Sequence, residues 1–304
     1  MRRAYWISGM VCGLSLCALA QFKPAHIPAN ATWVAQLDVK ALRENVTAAL
    51  VLQLLDDASL RQLAAIHAAT GLNLTNDIDT VVLFGSGDMQ ERAVLALYGR
   101  FDTARISTLL GAASTFQNQA LGKRSVLSWT DKEQPLNLCF VDPTHAVLSR
   151  DKKAVVDAVM QTDSRADAAN DALTKALTPT PKRFCVLQMN NVADFVAGNQ
   201  QLVVLKGTDS FILELAEGTG PGDIEGSVLF RGGDEEQATL LHQTLLGLQA
   251  ILTMQAKENP EGAALAALAK IERQDQFVSL RLSLPQPMLK HLIDSQVAKR
   301  PAQP

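Results

Sequence analysis

Aromatic residues make up only 5% of the 304-residue chain, and no long run of basic residues interrupts it. So few aromatic side chains leave little material for platforms that stack nucleic-acid bases or sugars. The formal net charge is −3, whereas binding to phosphate backbones or anionic membrane surfaces requires clustered positive charge. The composition therefore argues against nucleic acid as a partner.

Cysteine is also scarce, and two of the four, Cys12 and Cys17, lie in the first 20 residues. The other two, Cys139 and Cys185, lie in apolar runs that are typical of strands. In an oxidising compartment they could form a disulfide. The alternative is two buried thiols that pack as small hydrophobic groups. No cysteine or histidine pair has the spacing of metal ligands, so we expect no metal and no other cofactor.

Motifs of the common enzyme classes are missing as well. Ser86 lies between two glycines in a predicted hairpin turn, and not in the strand-to-helix turn of a nucleophile elbow. The glycine-rich segment 218–222 lacks the Gly-Lys-Ser/Thr of a phosphate-binding loop. The histidines are scattered and none lies in a protease-like motif: His26, His67, His145, His242 and His291. A hydrolase would need a site assembled from distant loops.

The first 20 residues have the three parts of a secretory signal peptide. Arg2 and Arg3 supply the positive end, an apolar stretch follows, and Ala18 to Ala20 form a small-x-small site. We therefore predict cleavage between Ala20 and Gln21 and export to the periplasm or the extracellular space. The apolar stretch is shorter than the roughly 20 residues of a spanning helix, so we expect no membrane span after cleavage. An uncleaved N-terminal anchor is the alternative.

Hydrophobic residues make up 47% of the chain, enough to bury a core, and their pattern repeats. Residues 77–110 read as strand, glycine-rich turn, strand, tight bend and helix, with Asp102 as the predicted N-cap. Residues 209–248 have the same order, with Asp234 as the cap. We interpret the pair as an internal duplication. The alternative is that any two strand–turn–strand–helix units look alike.

The repeat predicts an α+β fold with two related halves, each an antiparallel sheet covered on one face by helices. Residues 21–180 form the first half together with a linker helix, and residues 181–304 form the second. The boundary is the proline-containing segment 178–182. Each half has one strongly apolar helix, at 40–55 and at 235–256. Shorter strands are predicted at 125–130, 136–141, 145–149 and 277–284, and an alanine-rich helix at 260–270.

Four short segments carry a resemblance to a known group of proteins. They are the opening strand 31–38 (ATWVAQLD), the bend 97–102 (LYGRFD), the meander 128–132 (SWTDK) and the strand end 282–285 (LSLP). Together with the signal peptide they resemble the uncharacterised exported α+β proteins of planctomycete-type bacteria. The resemblance covers most of the mature chain and implies export. None of its motifs is catalytic, so it carries over no functional residue.

These features predict a non-catalytic extracytoplasmic binding or scaffolding protein of unknown ligand, with a protein or an apolar molecule as the partner. The alternative is a periplasmic carrier of an apolar ligand held between sheet and helices, which the two apolar helices favour. Ordinary packing accounts for the same apolar stripes, because each buried leucine contributes about 1.5–3 kcal/mol. The sequence indicates no oligomeric state.

Overall fold

The structure is a computed structural model that describes residues 24–28, 30–44, 64, 67–68, 70–86, 93–131, 133–163, 182–192, 196 and 205–298. The predicted signal peptide and its cleavage position between Ala20 and Gln21 lie outside these residues. Most of the predicted helix 40–55 and the whole predicted linker helix also lie outside them.

The described residues form twelve strands that build one sheet, in which every neighbouring pair is antiparallel. Across the sheet their order is β11-β12-β10-β9-β8-β1-β2-β3-β7-β6-β5-β4. In chain order they are β1 Trp33–Asp38, β2 Ile78–Gly85, β3 Val94–Gly99, β4 Gln117–Leu121, β5 Arg124–Asp131, β6 Gln134–Asp142, β7 His145–Ser149, β8 Arg183–Asn190, β9 Thr208–Glu217, β10 Ile224–Gly232, β11 Ala269–Gln274 and β12 Phe277–Leu284.

Helices in the same residues complete the α+β fold, and this class was correctly predicted. They are a 3-10 helix at Pro24–His26, α1 Val39–Glu44, α2 Leu74–Asp77, α3 Thr103–Gly111, α4 Lys152–Asp163, α5 Glu235–Met254, α6 Pro260–Leu268 and α7 Gln286–Ala298. Both predicted caps are confirmed. The Asp102 carboxylate accepts a hydrogen bond from the Arg105 N–H at 2.9 Å, and the Asp234 carboxylate accepts one from the Gln237 N–H at 2.7 Å.

The two sheets that the sequence predicts are one continuous sheet, because β1 and β8 pair at its centre. Val34 lies opposite Gln188 and Gln36 lies opposite Val186. Val34 and Val186 are 0% and 1% exposed. A separate sheet in each half would have left both valines and the backbone groups of both strands at an open edge, which pairing removes.

Strand order is the same on both sides of this central pair. Counted outwards, one side runs β1-β2-β3-β7-β6 and the other runs β8-β9-β10-β12-β11. Each side also has a register shift where the hairpin ends, at Ile78/Thr80 opposite Gly99 and at Arg231/Gly232. Strands β5 and β4 extend the first side beyond the shared pattern.

Helices cover both faces of the sheet in the first half, so the prediction of a single covered face is wrong there. On one face Val155 and Val159 of α4 pack in a cluster with Val82 and Ala96. On the other face Ile106 of α3 packs in a cluster with Leu97. Neighbouring strand residues point to opposite faces, and β3 is apolar on both, so it needs cover on both.

In the second half α5 packs on one face of the sheet, and α6 packs against α5. Ala238 and Leu241 of α5 form a buried cluster with Val278 of β12. Side chains of β12 alternate between the two faces, because Val278 is 0% exposed and its neighbour Phe277 is 40% exposed. The sheet face that is turned away from α5 therefore has much less cover in this half.

Candidate functional site

The side chains of β9, β10 and β12 that point away from α5 form a surface that we call the open face. It is made of Ile212, Leu229, Arg231, Phe277 and Arg281, together with the serines between them. Arg231 lies directly opposite Phe277, and Leu229 lies opposite Ile212 on its other side. Leu229 and Phe277 are each 40% exposed, and both arginines are exposed.

One end of the open face continues into a groove of about 460 Å³ whose polar walls carry both signs of charge. Arg183, Lys270 and Arg281 are its bases, and Glu214 and Glu225 are its acids. The Arg183 guanidinium donates to the Glu214 carboxylate at 2.6 Å. The Arg183 side chain is only 8% exposed, so this ion pair fixes the position of one wall of the groove.

The open face combines exposed apolar and aromatic side chains with two exposed arginines. Arginine and aromatic side chains are enriched at the centres of protein interfaces. The paired charges of the groove lie at the rim, where they would orient a partner more than they would add affinity. What the open face offers chemically is recognition of a polar surface that also has an apolar patch.

A second feature of interest is a stack of three rings inside the first half. Tyr98 of β3 and His145 of β7 are cross-strand partners with ring centroids 4.3 Å apart. His26, from the 3-10 helix, stacks on the other two at 5.4 Å from His145 and 6.0 Å from Tyr98. The Tyr98 hydroxyl and Nδ1 of His26 are hydrogen-bonded at 2.9 Å.

Burial controls the acid–base properties of this stack. Burial lowers the pKa of His145 to about 4, helped by the neighbouring His26 and Arg124 and opposed by Asp142. Burial, with a contribution from the charge of Asp142, raises the pKa of Tyr98 well above its ordinary value. His145 is only 4% exposed, and its Nε2 is buried without a hydrogen-bond partner.

Tyr98 and His145 are buried in the core, and His26 is half-buried. Neither Tyr98 nor His145 lines the groove on the open face or the cavities beside α4 and α5. A general base must reach the proton that it removes from a bound substrate. In its present surroundings His145 is therefore placed as a packing residue whose charge state depends on pH.

Of the two alternatives for the cysteines, the structure has two free thiols, because no disulfide joins Cys139 and Cys185. Cys139 lies on β6 and Cys185 on β8, and four strands separate them in the sheet. Strands are spaced by about 4.8 Å, so the two backbones are about 24 Å apart. A disulfide needs Cα atoms within about 7 Å. Cys139 is buried and Cys185 is half-buried, which fits the alternative of two packed thiols.

Sequence reasoning missed the two residue groups described above. It treated His26 and His145 as scattered, but the fold brings them together with Tyr98. Ser86 follows the end of β2, as the turn prediction required. Within the ranges that the structure describes, no three metal-ligating side chains lie close enough together to hold an ion.

The fold is similar to that of TP0453. A crystal structure of TP0453 (crystal form III) superposes with a TM-score of 0.54 over 91% of this chain and 98% of the other, at 8% sequence identity. A second structure of the same protein (crystal form IV) gives a TM-score of 0.49 at 9% identity. At this identity the likeness shows a shared fold alone. No protein-family model matches the sequence, and no curated protein matches it either.

None of the helices in the described part of the chain is both long enough and apolar enough to cross a membrane.

Proposed function

We propose that the chain is a non-catalytic extracytoplasmic protein that binds or scaffolds a protein partner through the open face. The observation that carries the proposal is the exposure of Leu229 and Phe277 beside Arg231 on the surface of the sheet. In the first half, α4 covers the corresponding face of the sheet. The fold can therefore cover this face, but in the second half the open face stays exposed. A contiguous apolar patch bordered by charge is a common mark of an interaction site.

Site-specific photo-crosslinking in the native cell envelope tests this proposal. A photoreactive residue at position 277 or 281 should capture the same protein, since both positions lie on the open face. The matched control is position 109 on α3, because Leu109 is exposed to a similar degree (41%) but lies away from the open face. Equal capture from position 109, or no capture from either open-face position, would reject the open face as the binding surface.

Export belongs to the same proposal. The signal-like residues 1–20, with cleavage between Ala20 and Gln21, support it, and so does the resemblance to exported planctomycete-type proteins. N-terminal sequencing of the protein from its native cells should begin at Gln21. An intact Met1 in a membrane fraction would favour the uncleaved anchor instead.

We also infer that the two halves, 21–180 and 181–304, arose by duplication. The equal strand order on both sides of the central pair supports this, as do the caps Asp102 and Asp234. The register adds further support, because Val34–Gln188 and Gln36–Val186 are exchanged by a two-fold axis between β1 and β8. An experimental structure in which superposed halves fail to bring Gln36 onto Gln188 would contradict the inference.

The alternative function is a carrier of an apolar ligand, and one cavity favours it. A pocket of about 320 Å³ beside α5 is lined in part by Leu240, Leu241 and Thr244. That volume is at the lower limit for small-molecule sites, which hold about 300–1,000 Å³. Organic extraction and mass spectrometry of protein purified from its native compartment should release a stoichiometric lipid if this is the function. Finding none would remove the alternative.

A further inference from the structure

Helix α5 has two apolar stripes, and only one of them packs on the sheet. The packed stripe includes Ala238 and Leu241. The other stripe, which we call the seam, consists of Leu240, Thr244, Gly247, Ile251 and Met254. Leu240, Ile251 and Met254 are 59%, 51% and 86% exposed.

The spacing of the seam is that of a helix–helix contact. Its residues follow one another at intervals of four, three, four and three, which is the pattern of the contact positions in a coiled coil. Such a stripe lies along one side of a helix over about four turns. A helix that only covered a sheet would carry polar residues on its solvent side. The spacing therefore indicates a second helix as the partner.

The distribution of charge along α5 favours a second copy of the same helix as its partner. No charged residue occurs between Glu236 and Lys257, so two seams can meet without repulsion. Glu235 and Glu236 lie at one end of the helix, and Lys257 follows the other end, next to Glu258. In an antiparallel pair Lys257 of each copy lies near the two glutamates that begin the partner helix.

Gly247 supports a close approach at the middle of the seam. Glycine inside a helix costs about 1 kcal/mol relative to alanine. A Cβ at this position would meet no atom within 4 Å, so nothing in the chain itself requires glycine here. A residue without a side chain at a helix crossing allows two backbones to approach closely.

We propose that the seam joins two copies of the chain through an antiparallel α5–α5 helix pair, with its two-fold axis at Gly247. Leu240 of each copy then lies beside Met254 of the other. A membrane surface is a poorer occupant, because helices that bind membranes carry lysines and arginines on their polar side. The two ends of α5 carry four acids and one base, namely Asp234, Glu235, Glu236, Glu258 and Lys257. The proposal is independent of the proposed function, since α5 and the open face lie on opposite sides of the sheet.

Sedimentation equilibrium of the full chain tests the proposal between about 1 and 100 µM, where contacts of moderate strength dissociate. The wild-type chain should approach twice the mass of a single copy. Ile251→Glu places two like charges inside the helix pair and should weaken dimerisation about tenfold or more. Met160→Glu is the matched control, because Met160 is 55% exposed on α4, outside the seam. It should leave dimerisation unchanged.

A charge exchange tests the antiparallel direction. Lys257→Glu should weaken dimerisation, and adding Glu236→Lys in the same chain should restore it. Restoration requires that the two positions face each other across copies, which a parallel pair does not provide. Failure of the second change to restore any association would overturn the antiparallel arrangement. Far-ultraviolet circular dichroism of each variant checks that α5 remains folded.

Two other results would overturn the proposal as a whole. One is a single-copy mass throughout the concentration range. The other is a dimer that Ile251→Glu leaves intact. A single-copy wild-type chain that floats with phosphatidylcholine vesicles, and loses this binding on Ile251→Glu, would instead identify the seam as a membrane surface. Loss of the dimer in Ile251→Glu but not in Met160→Glu is the result we expect.

Discussion

His145 is a histidine buried in the core, with only 4% of it exposed. Its ring is enclosed by Tyr98 and His26, and its Nε2 has no partner to stabilise a proton. Adding a proton would place a positive charge in the core without a hydrogen bond, which is costly. The folded protein therefore holds His145 in its neutral form.

Stability should consequently fall in mild acid. The pKa of His145 is about 4 in the folded chain against an ordinary value of 6.5, so the unfolded chain binds the proton first. The contribution of neutral His145 to the free energy of unfolding is complete above pH 6.5. It is lost as the pH falls towards 4, by roughly 1.4 kcal/mol per pH unit and about 3 kcal/mol in total. Urea unfolding at pH 7, 6 and 5 measures the slope.

His145→Phe is the matched variant, because it keeps an aromatic ring beside Tyr98 and removes the titrating group. The free energy of unfolding of this variant should depend less steeply on pH than that of the wild-type chain. Parallel pH profiles of the two proteins would show that His145 is not the responsible group.

The sequence alone does not reveal the stack. His26 and Tyr98 are 72 positions apart and no local pattern links them. Each lies in an apolar neighbourhood that would suit a core histidine or a core tyrosine equally well. Only the pairing of β3 with β7, and the position of the 3-10 helix on them, brings the three rings together.

Among the elements, the clearest local signal is the capped helix after each hairpin. Asp102→Ala should lower the free energy of unfolding by about 1 kcal/mol, because the Arg105 N–H loses its acceptor. Asp102→Asn keeps an acceptor oxygen and should cost much less. Chemical denaturation of the two variants gives the comparison, and equal stabilities would refute a capping role.

Elements with a strong apolar pattern were predictable, and two strands without one were not. β3, with the sequence VLALYG, is the second strand that was predicted within residues 77–110. β4, with the sequence QNQAL, is polar and exposed, and it forms because a two-residue turn folds it back onto β5. β11 was missed because the alanine-rich segment before it predicts helix as far as residue 270, whereas α6 ends at Leu268.

The sequence predicted only some of the residues of the open face. The alternation in β12 placed Phe277 and Arg281 on one side of a strand. It could not show that β10 adds Leu229 and Arg231 to the same side, because that depends on the register between strands. Alternation along one strand shows which of its side chains share a face. Register and strand order decide which side chains of different strands form one surface.

At the scale of the molecule, the central pair joins both halves in one continuous sheet, and we expect the halves to unfold as one cooperative unit. Val34→Ala and Val186→Ala each remove buried methyl groups, and each should cost about 2 kcal/mol. Because the sheet is continuous, we expect either change to lower protection of amides in both β7 and β12. Hydrogen exchange under conditions that report global unfolding measures this.

Leu109→Ala, at an exposed position, is the control and should change stability by less than about 0.5 kcal/mol. If Val34→Ala lowers protection in β7 alone, the halves unfold separately and the continuity of the sheet has little energetic weight. The sequence could not have indicated this arrangement, because Val34 and Val186 would be equally suitable in two separate sheets.

The central pair also has a consequence for biosynthesis. β1 ends at Asp38, and its partner β8 begins only at Arg183. A ribosome adds about 5–20 residues per second, so one edge of β1 waits for about 8–30 s until β8 has been made. During that time a prematurely folded first half would expose an unpaired strand edge, with which other nascent chains could pair. This exposure is avoided if the chain stays unfolded until its second half has been synthesised. Passage through a translocation channel before folding would meet that condition.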